Sequence, residues 1–351
     1  MTAVVELAPD RLRSLGARVL EAAGTPADTA RHVADHLVEA NLAGHDSHGV
    51  IRIPMYVAQI EDGWVRPDAR PRVVRDRRAA ALVSGDWGFG HPAATLAMDE
   101  ACARADDHGI GAAGLVRATH LGRIGTYVER AARRGLIGLM WLGGLGTWRA
   151  AVPYGGRETF YGTNPVAAAF PAGRAGVALL DFATTAIAGG KIMVARDRGE
   201  PLPAGSVIDA AGRPSTDPAA FFDGGALLPF GGHKGYALAF FAQLLGQSLT
   251  GAVRQDDEGL GGDAFRRSGS FYLAVTPDLF ADPEDVAEDA AALIERVRAS
   301  APAEGFADVM VPGDPEARSR ARRADGGIPL PDETWRSISA CAARLGVEVE
   351  A

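Results

Sequence analysis

Lysine is almost missing from this chain. Of 36 basic residues only Lys191 and Lys234 are lysines, and asparagine is as rare, at Asn41 and Asn164 alone. Where arginine is the default, a retained lysine marks a place that needs a compact point charge. There are two cysteines, Cys102 and Cys341, far apart in sequence. That excludes a disulfide framework and points to free thiols in a reducing cytoplasm. No basic tract is present and the net charge is -8, which argues against nucleic acid and acidic membrane surfaces as partners. No segment has the length of apolar sequence a membrane helix needs. The opening MTAVVELAPDRLRS lacks the basic and apolar regions of a signal peptide.

What remains is ordinary globular composition, 47% hydrophobic and 23% charged over 351 residues. That length allows two domains, or one large α/β domain with an appendage. The densest chemistry lies in Gly44-His45-Asp46-Ser47-His48-Gly49-Val50-Ile51-Arg52. A site that exchanges a proton and holds an anion needs a group titrating near neutral pH and a cation with fork geometry. His48 and Arg52 are those types at i and i+4, close together if the segment after Gly49 is helical. The plainer alternative is a helix junction with Asp46 or Ser47 as N-cap.

Residues 5 to 60 read as helical, with Ala8 to Ala23, then Thr25-Pro26 as cap and first helical residue, then Ala27 to Leu42 and Ile53 to Ile60. Arg72 to Arg75 and Ala79 to Ser84 read as short strands. Pro92 to Asp107 is a helix ending at Gly109. Gly109, Gly111 and Gly114 match G-x-G-x-x-G, but a helix precedes them and a strand follows. A phosphate loop needs the reverse order, so this is not a dinucleotide fingerprint. Strands follow at Leu136 to Leu142, Val166 to Phe170, Val177 to Leu180 and Ser270 to Val275. Asp181 ends a buried strand, a usual place for a functional carboxylate, and Thr184-Thr185 reads as the cap of a helix through Lys191. Gly231-Gly232-His233-Lys234 opens an apolar helix to Leu249, an anion-binding setting without Walker spacing. Val309 to Val311 reads as a strand, and helices cover Pro283 to Ser300, the segment from Glu316, and Pro331 to Leu345. The fold class is α/β with a mixed sheet. Residues 1–75 with 283–351 form a mainly helical domain built from both termini, and 76–282 the α/β domain.

Zinc on His45, His48 and His120 lacks any supporting motif. A hydrolase using Ser47 lacks a nucleophile elbow, and neighbouring Ser and His side chains should point apart. His32 and His36 read as solvated, and His91 and His108 as turn or helix-end residues. Trp141 and Trp148 flank the loop Gly143 to Gly146 and read as pocket or core residues.

The motifs GHDSHGVIR with Tyr56, THLG, YGTNP, LLDFATT with Gly190-Lys191, PFGGHKGY and VPGDPEAR together resemble the type 2 malate/L-lactate dehydrogenase family. The likeness spans roughly residues 5 to 345. That family includes sulfolactate, ureidoglycolate and diketogulonate oxidoreductases, and reductases of cyclic imino acids. The resemblance implies NAD or NADP on a non-Rossmann fold, no metal, and a homodimer with its site between domains. It implies His48 as the proton donor and acceptor, Asp181 orienting it, Ser47 assisting, and His120 as a second site histidine. It implies that Arg52, Tyr56 and Thr163 meet a small carboxylate substrate. The cofactor would lie against Asp181, Phe182, Ala183, Thr184, His233, Lys234, Gly313, Asp314 and Pro315.

Four places depart from the family pattern. The loop after Leu142 is Gly143-Gly144-Leu145-Gly146 instead of asparagine and serine, Thr119 stands for asparagine, Leu121 for an aromatic, and Thr185 for serine. These predict a roomier, less polar pocket and a substrate bulkier than malate. The leading reading is an NAD(P)-dependent 2-oxo acid/2-hydroxy acid oxidoreductase. A reductase of cyclic or N-alkyl imines of 2-oxo acids is the second, and an inactive binding protein on this scaffold the third. Asp314 on a ribose hydroxyl would favour NAD, and the helix with Arg318, Arg320, Arg322 and Arg323 would favour NADP.

Overall fold

The computed structural model describes residues 4–144, 150–255, 257 and 259–349. Leu145, Gly146 and Trp148 lie outside them. The chain opens on strand β1 (Val4–Leu7) and helices α1 (Pro9–Ala22) and α2 (Ala27–Leu42). Two 3-10 turns, Asp46–His48 and Val50–Arg52, lead into α3 (Ile53–Glu61). Then come β2 (Arg72–Arg77), β3 (Ala80–Ser84), α4 (Gly90–His108), β4 (Ile110–Val116), α5 (Gly125–Ala132) and β5 (Ile137–Gly143). β6 (Val166–Pro171) and β7 (Val177–Phe182) form a hairpin before α6 (Gly189–Arg198). β8 (Val207–Ile208), β9 (Pro214–Ser215), α7 (Pro218–Phe222) and β10 (Ala226–Leu227) make a small side unit. α8 (His233–Gln243) continues as a π-helical turn, Leu244–Leu249. α9 (Gly262–Phe265), β11 (Gly269–Val275), α10 (Pro283–Arg298), α11 (Asp314–Gly326), β12 (Ile328–Pro331) and α12 (Asp332–Arg344) complete the chain.

The central sheet has seven strands in the order β2-β3-β4-β11-β5-β6-β7. Only β3 and β4 run parallel, and every other neighbouring pair is antiparallel, so the sheet is mixed. Its core sets Ala93, Ala97, Ala101 and Cys102 of α4 against Val83, Ala113, Leu115 and Tyr272. Alanines let the helix approach the sheet closely. The rejected glycine pattern serves the same contact: a Cβ on Gly111 would stand 2.0 Å from the Ala101 carbonyl oxygen. Gly109 takes the left-handed φ of 80° that ends α4.

A second core joins the two ends of the chain. Leu20, Leu37, Ile53 and Val57 pack with Ile328, Leu330 and Ile338. β1 pairs antiparallel with β12, a ribbon hidden in a stretch whose sequence reads as helical. α10 packs elsewhere, with Ile294 against Ala172 and Val311. Val309 to Val311 forms no strand; the backbone N–H of Leu179 instead donates to the Pro312 carbonyl at 3.0 Å. Thr25 does not cap α2, whose N-cap is Pro26, and its buried hydroxyl has no partner. Thr184 and Thr185 do not cap α6 either, because Ala188 takes that place.

Candidate functional site

The GHDSHGVIR segment is not one helix. Gly49 is extended, with φ -90° and ψ -155°, and splits it into two 3-10 turns. Asn41 creates the break: its Oδ1 accepts the Val50 N–H at 2.9 Å and its Nδ2 donates to Asp46 at 2.7 Å. A Cβ on Gly49 would lie 2.1 Å from that same Oδ1, so glycine is required. Asp46 is no helix cap; it accepts two hydrogen bonds from Arg323 of α11, at 2.6 and 3.0 Å. His45 lies 3.1 Å from Glu316 at the start of α11. Helix α11 thus holds the start of the turn at His45 and Asp46.

Within it, Ser47 Oγ lies 3.0 Å from His48 Nδ1, so the tight turn brings together side chains that sequence adjacency would separate. Arg52 folds back and its Nε donates to the Ser47 carbonyl at 2.6 Å. The His48 ring is stacked on His120, with centroids 5.7 Å apart and an 11° interplanar angle. Tyr56 is 1% exposed, so it stands behind the site and does not line it. Its hydroxyl lies 2.7 Å from His120 Nδ1 and 3.3 Å from His91 Nε2.

Asp181 at the end of β7 does not hydrogen-bond His48. Its Oδ2 accepts the Gly125 N–H at 2.8 Å and lies 3.5 Å from Arg123 Nε. Any effect of Asp181 on His48 is therefore indirect. Arg123 is 1% exposed and also reaches Glu129, at 2.8 Å, which Arg320 meets at 2.8 Å. Its backbone N–H donates to His36 Nε2 at 3.1 Å, so His36 is buried and bonded, not solvated. His32, one turn earlier in α2, lies 3.1 Å from the Thr95 hydroxyl.

Burial, with Arg52 second, pushes His48 down from 6.5 to about 3. Burial likewise drives His36 to about 3 and holds His91 and His120 well below the usual histidine range. All four imidazoles are neutral at pH 7. Burial pushes Asp181 up, against the pull of Arg123. Glu129 is pushed up by burial too, but Arg123 and Arg320 overcome this and hold it below the usual carboxylate range. Among the described residues no group of three histidine, cysteine or acidic side chains is placed to hold a metal.

The residues implied for the cofactor converge. Thr184 donates twice to the Thr163 carbonyl, through its N–H and its hydroxyl, each at 2.9 Å. The Phe230 N–H donates to the Thr184 carbonyl at 3.1 Å, and Phe182 meets Phe230 edge to face at 5.4 Å. Three separate motifs thus form one wall ending at Gly231 and Gly232, with left-handed φ of 56° and 64°. His233 and Lys234 open α8 there, both exposed. The N–H groups of Gly232 and His233 have no hydrogen-bond partner among the described residues. A lysine, free N–H groups and a helix start suit a pyrophosphate. Gly190 at the start of α6 reaches the other end: a Cβ there would lie 3.3 Å from Ser47 Cβ.

Gly313-Asp314-Pro315 packs beside β7, but Asp314 is engaged. Arg298 holds both its oxygens, at 2.6 and 3.1 Å, and the Val311 N–H donates to it at 2.9 Å. Of the α11 arginines, Arg318, Arg320 and Arg323 pair with Asp308, Glu129 and Asp46.

A pocket opens beside His120. Leu115, Ala118, Leu121, Leu142 and Phe265 line it with Thr119, Ser268, Gly269 and Ser270. Thr119 is turned away, its hydroxyl donating to the Gly88 carbonyl at 3.0 Å. Leu121 is 5% exposed and gives the pocket a short aliphatic wall. Trp141, in β5, packs on Phe271 with centroids 5.9 Å apart.

His36, His91, Arg123 and Glu129 carry no signal in the sequence. Asn41 carries one, its rarity, and Asn164 repeats the point. It is buried, with φ 33°, and donates to the Ala239 carbonyl and Gln243 at 2.9 Å.

A neutral histidine with an arginine in the next turn, and an exposed lysine with free N–H groups at a helix start, fit an oxidoreductase that uses a nicotinamide cofactor. The chain belongs to the malate/L-lactate dehydrogenase family, whose model matches residues 7–339. It is similar to hydroxycarboxylate dehydrogenase B of Escherichia coli K12, at 37% identity over 97% of this chain and 94% of that one. The sulfolactate dehydrogenase structure from Methanocaldococcus jannaschii superposes with a TM-score of 0.89 at 32% identity, covering 98% of each chain. The Δ1-piperideine-2-carboxylate reductase of Pseudomonas syringae pv. tomato gives a TM-score of 0.84 at 30% identity, covering 96% of this chain and all of that one, 100%.

Proposed function

We propose that this enzyme interconverts a 2-oxo acid and its 2-hydroxy acid, with a substrate side chain larger and less polar than that of malate. The observation that carries it is the His48–His120 stack standing between the Arg52 turn and the apolar pocket. NAD or NADP, when bound, supplies or accepts the hydride. Lys234 and the N–H groups of Gly232 and His233 hold its phosphates, and Phe182, Ala183 and Thr184 form the wall against it. Arg52 clamps the substrate carboxylate. His48 takes the hydroxyl proton in oxidation and returns it in reduction, and Ser47 fixes its ring through Nδ1. Neutral His48 is ready as a base. In reduction, the carboxylate on Arg52 cancels part of the field that depresses His48 and favours its protonation. Asp181 acts by holding Arg123 and the first turn of α5. Leu121, Leu142 and Phe265 receive the substrate side chain.

A neutral His48 also suits a second reading, reduction of a cyclic imine that arrives already protonated. Asp314 and three of the α11 arginines are engaged, so neither expected feature separates NAD from NADP. A homodimer agrees with the apolar face of α8 and its π turn, where Leu238, Phe241, Leu244 and Leu249 are 37, 61, 40 and 63% exposed. The shared core of α1 and α12 supports a unit built from both termini, taken as 1–75 with 283–351, beside an α/β unit of 76–282, except that β2 lies in the central sheet and α10 packs on the α/β side. The free, buried thiols of Cys102 and Cys341 agree with the cytoplasm, and no described helix is long and apolar enough to cross a membrane.

The test is consumption of NADH and NADPH with a panel of 2-oxo acids, each with and without methylamine, and with preformed cyclic imino acids. Turnover of oxo acids without amine, best with branched or aromatic side chains, is the expected result. A preference for oxaloacetate or sulfopyruvate overturns the apolar pocket. Turnover only with amine or cyclic imines moves the enzyme to the second reading.

A further inference from the structure

We infer that His91 is a positioning residue that acts through Tyr56 to lock His120 as its Nε2–H tautomer, turning a neutral hydrogen-bond donor toward the substrate. The inference rests on the reading that His120 faces the substrate. His91 lies at the start of α4, is 0% exposed and belongs to no motif.

The argument is a proton count. Tyr56 has one hydroxyl proton and two histidine nitrogens within reach, His120 Nδ1 at 2.7 Å and His91 Nε2 at 3.3 Å. It donates to one and must accept from the other. The O–H···N bond is the shorter type and N–H···O the longer, so the hydroxyl donates to His120 and His91 donates to the hydroxyl. The rest of the His91 ring agrees. Its Nδ1 is buried without a partner. In this arrangement that atom is a bare lone pair; in the reverse one it would be an orphaned N–H, the rarer and costlier state in protein interiors. Both rings are neutral, each with one N–H. His120 therefore has its proton on Nε2. His36 closes the far side, its ring edge-on to His91 with centroids 4.6 Å apart.

The two stacked histidines then have different tasks. His48 exchanges a proton. His120 keeps its own and donates an Nε2–H hydrogen bond to a substrate oxygen, stronger as charge develops there. Without His91 nothing obliges Tyr56 to donate toward His120, and an Nδ1–H tautomer would turn a lone pair toward that oxygen.

The experiment is long-range 1H–15N correlation of histidine rings in the free, full-length protein at pH 7, with His120 assigned through His120→Gln. Steady-state kinetics accompany it on wild type, His91→Leu, His91→Gln and Tyr56→Phe. We expect wild-type His120 as the Nε2–H tautomer. His91→Leu and Tyr56→Phe should give mixed tautomers and a kcat lower by ten- to a hundredfold with KM changed less than threefold. His91→Gln, which keeps an N–H at that place, should recover to within fivefold of wild type. An Nδ1–H or doubly protonated His120 in wild type overturns the inference. So does a His91→Leu enzyme with wild-type kcat, or a His91→Gln enzyme no better than His91→Leu. Should His91→Leu fail to fold, the wild-type spectrum and Tyr56→Phe still decide. If the tautomer is as expected but His120→Gln keeps full activity, the placement of His120 at the substrate has failed instead.

Discussion

Acid should destabilise this protein well above the pH at which carboxylates titrate. His36 and His48 are held neutral with values of about 3, mainly by burial, against 6.5 when unfolded. A base whose folded value is depressed binds fewer protons folded than unfolded between the two values. Its contribution is present above pH 6.5 and is lost as pH falls toward 3. One pH unit below the unfolded value, each such histidine costs somewhat over 1 kcal/mol, so the pair removes about 3 kcal/mol at pH 5.5. His91 and His120 are displaced in the same direction and add to it. Asp181, whose carboxyl burial pushes up, works the other way. Against a typical stability of roughly 5–15 kcal/mol, the loss is a large fraction. The assay is urea unfolding at intervals from pH 8 to 5, read by tryptophan fluorescence. The slope of stability against pH gives the protons taken up on unfolding, and more than two are expected near pH 5. Stability that is flat from pH 7.5 to 5 would refute neutral burial of these rings.

Other outcomes follow from the same contacts. Arg123→Met strands Asp181 in the interior and leaves Glu129 with Arg320 alone, and should cost about 3–5 kcal/mol in urea unfolding; adding Glu129→Gln should recover part of that loss. Cofactor should raise the melting temperature of wild type, since it binds the folded state, and Lys234→Met should reduce that rise while Arg322→Ser leaves it unchanged. Phe241→Glu places a charge on the exposed apolar face of α8, and sedimentation should show a dimer before the change and a monomer after it.

The elements that could be read in the sequence are those whose signal is local. α2, α4, β7 and α12 follow from periodicity and punctuation, and the motif residues His48, Arg52, Asp181 and Lys234 from their chemistry. What escaped depends on partners distant in the chain. β1 forms a strand only because β12 lies beside it. His36 and His91 look like ordinary helix residues, and only the approach of Arg123 and Tyr56 makes them buried and bonded. Ser47 and His48 meet because Asn41 bends the backbone at Gly49, a cause six to eight residues upstream. The glycine pattern at Gly109, Gly111 and Gly114 differs from a phosphate loop in element order, helix α4 before and strand β4 after, and packing explains it.

The most direct test of the account is the steady-state reduction of a preferred 2-oxo acid by His48→Gln, beside cofactor and substrate binding measured by calorimetry. The account predicts kcat lower by roughly a hundred- to ten-thousandfold, the span of general acid–base catalysis, with both dissociation constants within about threefold of wild type. A His48→Gln enzyme that turns over at the wild-type rate would contradict it.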